Sequence, residues 1–82
     1  MKVYLYSTQG CHLCEQAKTI LWPVLLQYSA RLKEIDIADS DEMIEKYGTR
    51  IPVLGAAELE RELNWPFTAA DVDSFLYELA DI

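Results

Sequence analysis

The chain has 82 residues, of which 51% are hydrophobic, and it carries a formal net charge of −7 at pH 7. This length predicts a single domain over residues 1–82. It is close to the smallest size at which one hydrophobic core suffices without disulfides or a structural metal. Phosphate contacts need clustered Lys and Arg, so the acidic balance argues against nucleic acid and against an anionic membrane surface. We expect a cytoplasmic protein, because the apolar run near the N-terminus is too short for a signal peptide or membrane span.

The first half of the chain alternates between strand-like runs and helical patterns. Residues 2–6 form an apolar run typical of a buried strand, and His12–Tyr28 places apolar residues on one face of a helix. Pro23 lies inside that helical pattern and predicts a kink, because proline lacks the N–H and crowds the carbonyl one turn earlier. A second strand is expected over residues 32–37.

A short helix is expected after the second strand. Asp39 and Ser40 are candidate caps, because their side-chain oxygens accept hydrogen bonds from free backbone N–H groups at a helix start. We expect Ile44 and Tyr47 to face inward from this helix. Gly48 is expected to end it in the left-handed conformation, which glycine adopts most easily.

The second half of the chain predicts two strands and a final helix. Residues 51–54 are typical of a third strand with Pro52 at its start, where a missing donor is tolerated, and a fourth strand lies within residues 59–65. Thr68 and Asp71 resemble a capping box. The inner face of the last helix is expected to carry Val72, Phe75, Leu76 and Leu79. The order β-α-β-α-β-β-α predicts an α/β fold with a four-stranded mixed sheet and helices on both faces.

Two cysteines stand between the first strand and the first helix, in the segment Cys11-His12-Leu13-Cys14. Cys11 falls at the helix N-terminus, where free N–H groups and the positive end of the helix dipole stabilise an anion. The thiolate, which is the reactive form of cysteine, is therefore favoured there. Cys14 follows on the same helical face, close enough to close a disulfide. The pair predicts reversible thiol–disulfide exchange.

The chain resembles the glutaredoxin branch of the thioredoxin-fold family. The resemblance rests on the Cys-x-x-Cys after the first strand, on the Ile51-Pro52-Val53 segment, and on a compact length without extra N-terminal elements. It implies a thioredoxin-like, three-layer α/β/α fold, with Cys11 as the attacking thiolate and Cys14 as the resolving thiol. It also implies a cis Ile51–Pro52 peptide bond beside the cysteines, with the Ile51 N–H and C=O offered to a substrate backbone.

Several positions differ from the residues that glutathione-binding members of this family usually carry. Thr8 replaces a lysine, Leu13 replaces an aromatic residue, and Arg50 replaces a hydroxyl residue. The segment Asn64-Trp65-Pro66-Phe67 stands where a Gly-Gly-Asp segment is usual. We therefore expect weak glutathione binding, and we expect Trp65 to be a packing aromatic.

The expected function is that of a monomeric thiol–disulfide oxidoreductase acting on a disulfide-containing protein or a small-molecule thiol. We expect no tightly bound cofactor, with glutathione as a candidate co-substrate. The candidate substrate-binding residues are His12, Arg50, Ile51 and Pro52. His12 and Arg50 are included because a cation beside Cys11 favours its thiolate, and a guanidinium also suits a substrate carboxylate.

Two other functions remain open from the sequence. The first is a non-catalytic binding module that uses the acidic face or the Trp65-Pro66-Phe67 segment, since a fold does not fix a function. The second is metal or iron–sulfur binding through Cys11, Cys14 and His12. That alternative needs further ligands from a second chain or an external thiol, because these residues are too few for a closed tetrahedral site.

Overall fold

The helices and strands of the protein follow one another in the predicted order. In a computed structural model, which describes residues 1–81, they are β1 (Lys2–Ser7), α1 (His12–Tyr28), β2 (Arg31–Asp36), α2 (Asp41–Tyr47), β3 (Val53–Ala56), β4 (Leu59–Asn64) and α3 (Ala69–Ala80). The four strands form one sheet in the spatial order β2-β1-β3-β4. Strand β1 runs parallel to β2 and antiparallel to β3, which is antiparallel to β4. The predicted mixed sheet is confirmed.

Side chains along β1 point alternately to the two faces of the sheet. Val3 and Leu5 are fully buried on the face that packs against α1 and α3. Tyr6 points to the opposite face, where it packs with Tyr47 of α2 and with Ile37. The helices therefore cover both faces of the sheet, and the larger core lies on the α1 and α3 side.

The N-termini of α2 and α3 are capped by side chains. Ser40 is the N-cap of α2 and accepts the backbone N–H of Met43 at 3.3 Å. Thr68 and Asp71 form the predicted capping box of α3, in which each side chain accepts the other residue's backbone N–H. These bonds satisfy N–H groups that have no partner within the helix. Helix α1 is continuous through Pro23, and the kink expected there stays a prediction.

The expected inward orientation of Ile44 is wrong. This side chain is 45% exposed, whereas Met43 and Tyr47, four residues apart, pack in one cluster with Ile37 and Val53. Helix α2 has only seven residues, so it presents one narrow stripe to the sheet, and Ile44 falls outside that stripe.

The expected left-handed conformation of Gly48 is also wrong. Gly48 has φ −50° and ψ −36°, which are right-handed helical values. The chain continues as a tight turn in which the N–H of Arg50 donates to the carbonyl of Tyr47 at 2.8 Å, so the turn needs no left-handed residue. A Cβ at Gly48 would collide with the carbonyl oxygen of Ile44, and glycine is needed for this close approach.

The end of β2 and the start of β3 also differ from the prediction. Strand β2 ends at Asp36, whose carboxylate accepts the N–H of Ala38 at 2.9 Å and begins a single 3₁₀ turn, Ile37–Asp39. Ile37 is therefore buried from a turn rather than from a strand, and Asp39 lies within that turn instead of capping α2. Strand β3 begins at Val53, so Pro52 precedes it.

Candidate active site

The two cysteines lie where β1 passes into α1, and they form a disulfide. Gly10 has a φ of +78° and turns the chain from the strand into the helix, a conformation that glycine adopts without strain. Cys11 is the N-cap residue of α1, with extended φ and ψ of −85° and 101°. Its Sγ accepts the backbone N–H of Cys14 at 3.1 Å. The sulfur of Cys11 thus occupies the position of a capping oxygen.

The two sulfurs differ in their access to solvent. Cys11 is half-buried, whereas Cys14 is only 2% exposed and begins the buried stripe of α1 that continues through Ala17 and Leu21. The spacing of three and four residues places Cys14, Ala17 and Leu21 on one helical face, toward the core. An incoming disulfide therefore meets Cys11 first.

A cavity of about 300 Å³ lies beside Leu13, the residue between the two cysteines. It is lined by Leu13, Thr49, Arg50, Ile51, Asn64 and Trp65. The Ile51–Pro52 peptide bond is cis, and Pro52 itself is fully buried. The structure thus brings Arg50 and Ile51 together with the cysteine motif. His12 is exposed at the first position of α1.

Trp65 has a larger role in this cavity than the sequence indicated. It is half-buried, packs edge-on against Phe67 at 5.1 Å between ring centroids, and also forms part of the cavity wall. The sequence predicted a packing role for Trp65 and left the Trp65-Pro66-Phe67 segment open as a binding surface, but nothing in the local pattern shows that the segment after β4 lies opposite Leu13. This arrangement depends on the pairing of β3 with β4.

Arg50 is held by neighbouring side chains rather than free at the surface. Its Nη2 donates to Glu62 at 3.2 Å and to Asn64 at 2.9 Å. Its guanidinium also lies 5.4 Å from the centroid of the Tyr47 ring. Glu62 therefore offsets the positive charge that the sequence suggested for substrate binding, and the guanidinium becomes a fixed part of the cavity rim.

Tyr47 completes this network from helix α2. Its hydroxyl donates to Glu62, and its ring stacks on Tyr6 at 4.2 Å between centroids. Two effects raise the pKa of Tyr47 far above its usual value. Burial is the larger, and the hydrogen bond to Glu62 comes second. Tyr47 and Glu62 thus tie α2 to β4 and hold Arg50 at the cavity.

The backbone of Ile51 differs from what the family resemblance implied. Its N–H donates to the carbonyl of Tyr47 at 3.1 Å. The N–H is therefore engaged within the turn and is not offered to a substrate backbone, because an N–H group supplies only one donor. The expectation of a free Ile51 N–H is wrong.

Metal-ligand clusters and membrane-spanning helices are both absent from the described residues. Within residues 1–81, no group of three or more His, Cys, Asp and Glu side chains is arranged to hold a metal ion. None of the helices in the same part of the chain is long and apolar enough to cross a bilayer.

We expect Tyr47→Phe to lower the free energy of unfolding by about 1–2 kcal/mol, because it leaves one oxygen of Glu62 without its hydroxyl partner. The ring is kept, so stacking on Tyr6 is unchanged. The measurement is equilibrium denaturation in urea. The control is Tyr4→Phe, because Tyr4 lies on the same face of β1 as Tyr6. The Tyr4 substitution should change stability by less than about 0.5 kcal/mol. Equal losses in the two variants would contradict the role of the Tyr47–Glu62 bond.

Comparison with known proteins places this fold and its cysteine pair in a family. Residues 2–77 match the family described as "Glutaredoxin-like domain (DUF836)". None of the curated proteins matches the chain.

Solved structures show the same fold. The X-ray structure of protein XcR50 from X. campestris is 34% identical, covers 93% of this chain and 96% of its own, and superposes with a TM-score of 0.75. Protein Ne2328 from Nitrosomonas europaea is 27% identical, with 90% of this chain and 88% of its own covered and a TM-score of 0.77. Thioredoxin 1 from Thermosipho africanus shares the fold at 13% identity, with 99% and 96% covered and a TM-score of 0.72. The chain therefore belongs to the glutaredoxin-like domain family (DUF836), with a thioredoxin-like fold and a Cys-x-x-Cys pair at Cys11 and Cys14.

Proposed function

We propose that this protein is a small thiol–disulfide oxidoreductase in which Cys11 is the attacking thiolate and Cys14 the resolving thiol. The observation that carries the proposal is the half-buried Cys11 Sγ at the N-cap of α1, where it accepts the N–H of Cys14 at 3.1 Å. A thiolate accepts this bond more strongly than a thiol does, and the helix dipole adds to the preference. Both effects favour the nucleophilic form of Cys11.

The reaction runs in two exchange steps. In the reduced protein, the Cys11 thiolate attacks one sulfur of a substrate disulfide, and the second substrate sulfur leaves as a thiolate with the electron pair of the broken bond. Cys14 then loses its proton and attacks the Cys11 sulfur, which closes the Cys11–Cys14 disulfide and releases the first substrate sulfur. Two electrons pass from the protein to the substrate, and an external thiol or dithiol restores the reduced pair.

In this proposal, the part of the substrate that adjoins its attacked sulfur docks in the cavity beside Leu13. Its wall combines apolar side chains, Leu13, Ile51 and Trp65, with an Arg50 whose charge is offset by Glu62. Such a wall suits an uncharged or apolar group beside the disulfide better than a carboxylate. We therefore infer that the substrate is a disulfide-containing protein or a small-molecule disulfide. We further propose that the protein acts as a monomer in the cytoplasm.

Replacing Cys11 by Ser should abolish turnover of a disulfide substrate with dithiothreitol as reductant, because the attacking sulfur is lost. Cys14→Ser, mixed with the substrate in the absence of dithiothreitol, should still make the first attack and should accumulate a mixed disulfide on Cys11. Turnover is measured by release of substrate thiol, and the adduct by intact mass. A Cys11→Ser variant with wild-type turnover would overturn the proposal.

Glutathione is expected to bind weakly and with an affinity that falls as salt is added. Thr8 offers no charge for a carboxylate, so the remaining attraction comes from the guanidinium of Arg50, which is 39% exposed and already shared with Glu62, and salt screens such an exposed attraction. NMR titration of the reduced Cys11→Ser protein with glutathione at two ionic strengths tests this. Tight binding that is insensitive to salt and centred on residues around Ile51 is the contrary outcome.

A further inference from the structure

A second cavity, of about 350 Å³, lies on the other side of the cysteine pair and reaches the buried Cys14. Its lining residues are Ser7, Thr8, Gln9, Gly10, Cys14, Glu15, Lys18, Glu34 and Asp36. Unlike the lining of the cavity beside Leu13, this lining includes carboxylates, and they lie near the resolving cysteine. At this volume it has room for several water molecules.

The fold brings these side chains together from α1, β1 and β2. Lys18 follows Cys14 by four residues, so both lie on the same face of α1. In the parallel pairing of β1 with β2, Glu34 stands beside Leu5, and Asp36 beside Ser7. Paired residues in adjacent strands point to the same side of a sheet. Glu34 and Asp36 therefore point to the side on which α1 packs.

Glu34 is held in place through both of its carboxylate oxygens. Oε1 lies 2.9 Å from the ammonium nitrogen of Lys18, and Oε2 accepts the hydroxyl of Ser7 at 3.4 Å. Ser7 is only 6% exposed, and its hydroxyl is used for this bond. The hydrogen bond to Glu34 raises the pKa of Lys18, so this cation stays charged. Glu15 also contacts Lys18, at 3.2 Å, but its side chain is 72% exposed.

The charges in the cavity oppose a standing thiolate on Cys14. Three carboxylates (Glu15, Glu34 and Asp36) face it together with one cation, Lys18. Burial and a negative surrounding both disfavour the charged form of a thiol. The attack of Cys14 on the mixed disulfide therefore calls for a group that takes its proton.

We propose that Glu34, positioned by Lys18 and Ser7, accepts the proton of Cys14 in the resolving step. This inference rests on the proposed oxidoreductase function. The proton leaves Cys14 Sγ through the cavity for the Glu34 carboxylate, and the Cys14 thiolate forms its bond to Cys11 Sγ. The bond between Cys11 and the substrate sulfur breaks, and that sulfur leaves as a thiolate with the electron pair. Glu34, whose side chain is 46% exposed, then returns the proton to the departing thiolate or to solvent.

The two exchange steps can be timed separately with an uncharged disulfide, 2,2′-dithiodipyridine. Reduced protein is mixed with excess reagent in a stopped-flow instrument. The first equivalent of thiopyridone reports the attack by Cys11, and the second reports the attack by Cys14. Cys14→Ser, which stops after the first equivalent, assigns the two phases.

Glu34→Gln should leave the first phase unchanged and slow the second about 10²-fold near neutral pH, the lower end of what positioned acid–base groups contribute. The second phase should recover as the pH rises toward thiol ionisation, because hydroxide then replaces the carboxylate. Glu34→Asp, which keeps a carboxylate, should restore part of the rate. The control Glu15→Gln removes the more exposed contact of Lys18 and should keep the wild-type second phase.

Each contrary result has a distinct meaning. A second phase in Glu34→Gln within about twofold of the wild type across the pH range would overturn the inference, since positioned acid–base groups contribute far more. Equal slowing in Glu15→Gln would also overturn it, because the effect would then belong to the charge of the whole cavity. Absence of the first phase in the wild-type protein would instead contradict the oxidoreductase proposal itself.

Discussion

The hydrogen bond from the Cys14 N–H to the Cys11 sulfur is the interaction on which the proposed chemistry depends. It exists because α1 begins one residue after Cys11, so that the sulfur replaces the oxygen of an ordinary capping side chain. The positive φ of Gly10 sets up this start by turning the chain sharply out of β1. The same helix carries Cys14 into the core four residues before Lys18. One local geometry therefore leaves the first sulfur partly accessible and buries the second.

The two cavities give the cysteine pair two chemically different sides. On the Leu13 side, Ile51 and Trp65 offer an apolar wall, and the network of Tyr47, Glu62 and Arg50 fixes its rim. On the Cys14 side, ion-paired and hydrogen-bonded groups surround the buried sulfur. In our account, the substrate docks on the first side and the proton leaves on the second. This separation lets the two sulfurs react in sequence without competing for the same space.

The sequence predicted those features that are encoded within a few residues of each other. The helix over His12–Tyr28, the capping box of α3 and the position of Cys11 follow from spacing and capping chemistry, and all appear in the structure. The orientation of Ile44 and the engagement of the Ile51 N–H depend on how α2 packs and ends, which local patterns do not show. The grouping of Lys18 and Glu34 depends on the register of β1 with β2. Only the three-dimensional structure reveals it.

The most direct test of the central claim is the pH at which the Cys11 thiol ionises in the reduced protein. The rate of alkylation by iodoacetamide is followed against pH in Cys14→Ser, which isolates Cys11 while keeping the backbone N–H that its sulfur accepts. We predict that the pKa of Cys11 lies well below about 8.5, the value of an ordinary cysteine. A pKa of Cys11 at or above that value would contradict the account, because the helix N-terminus would then provide no preference for the thiolate.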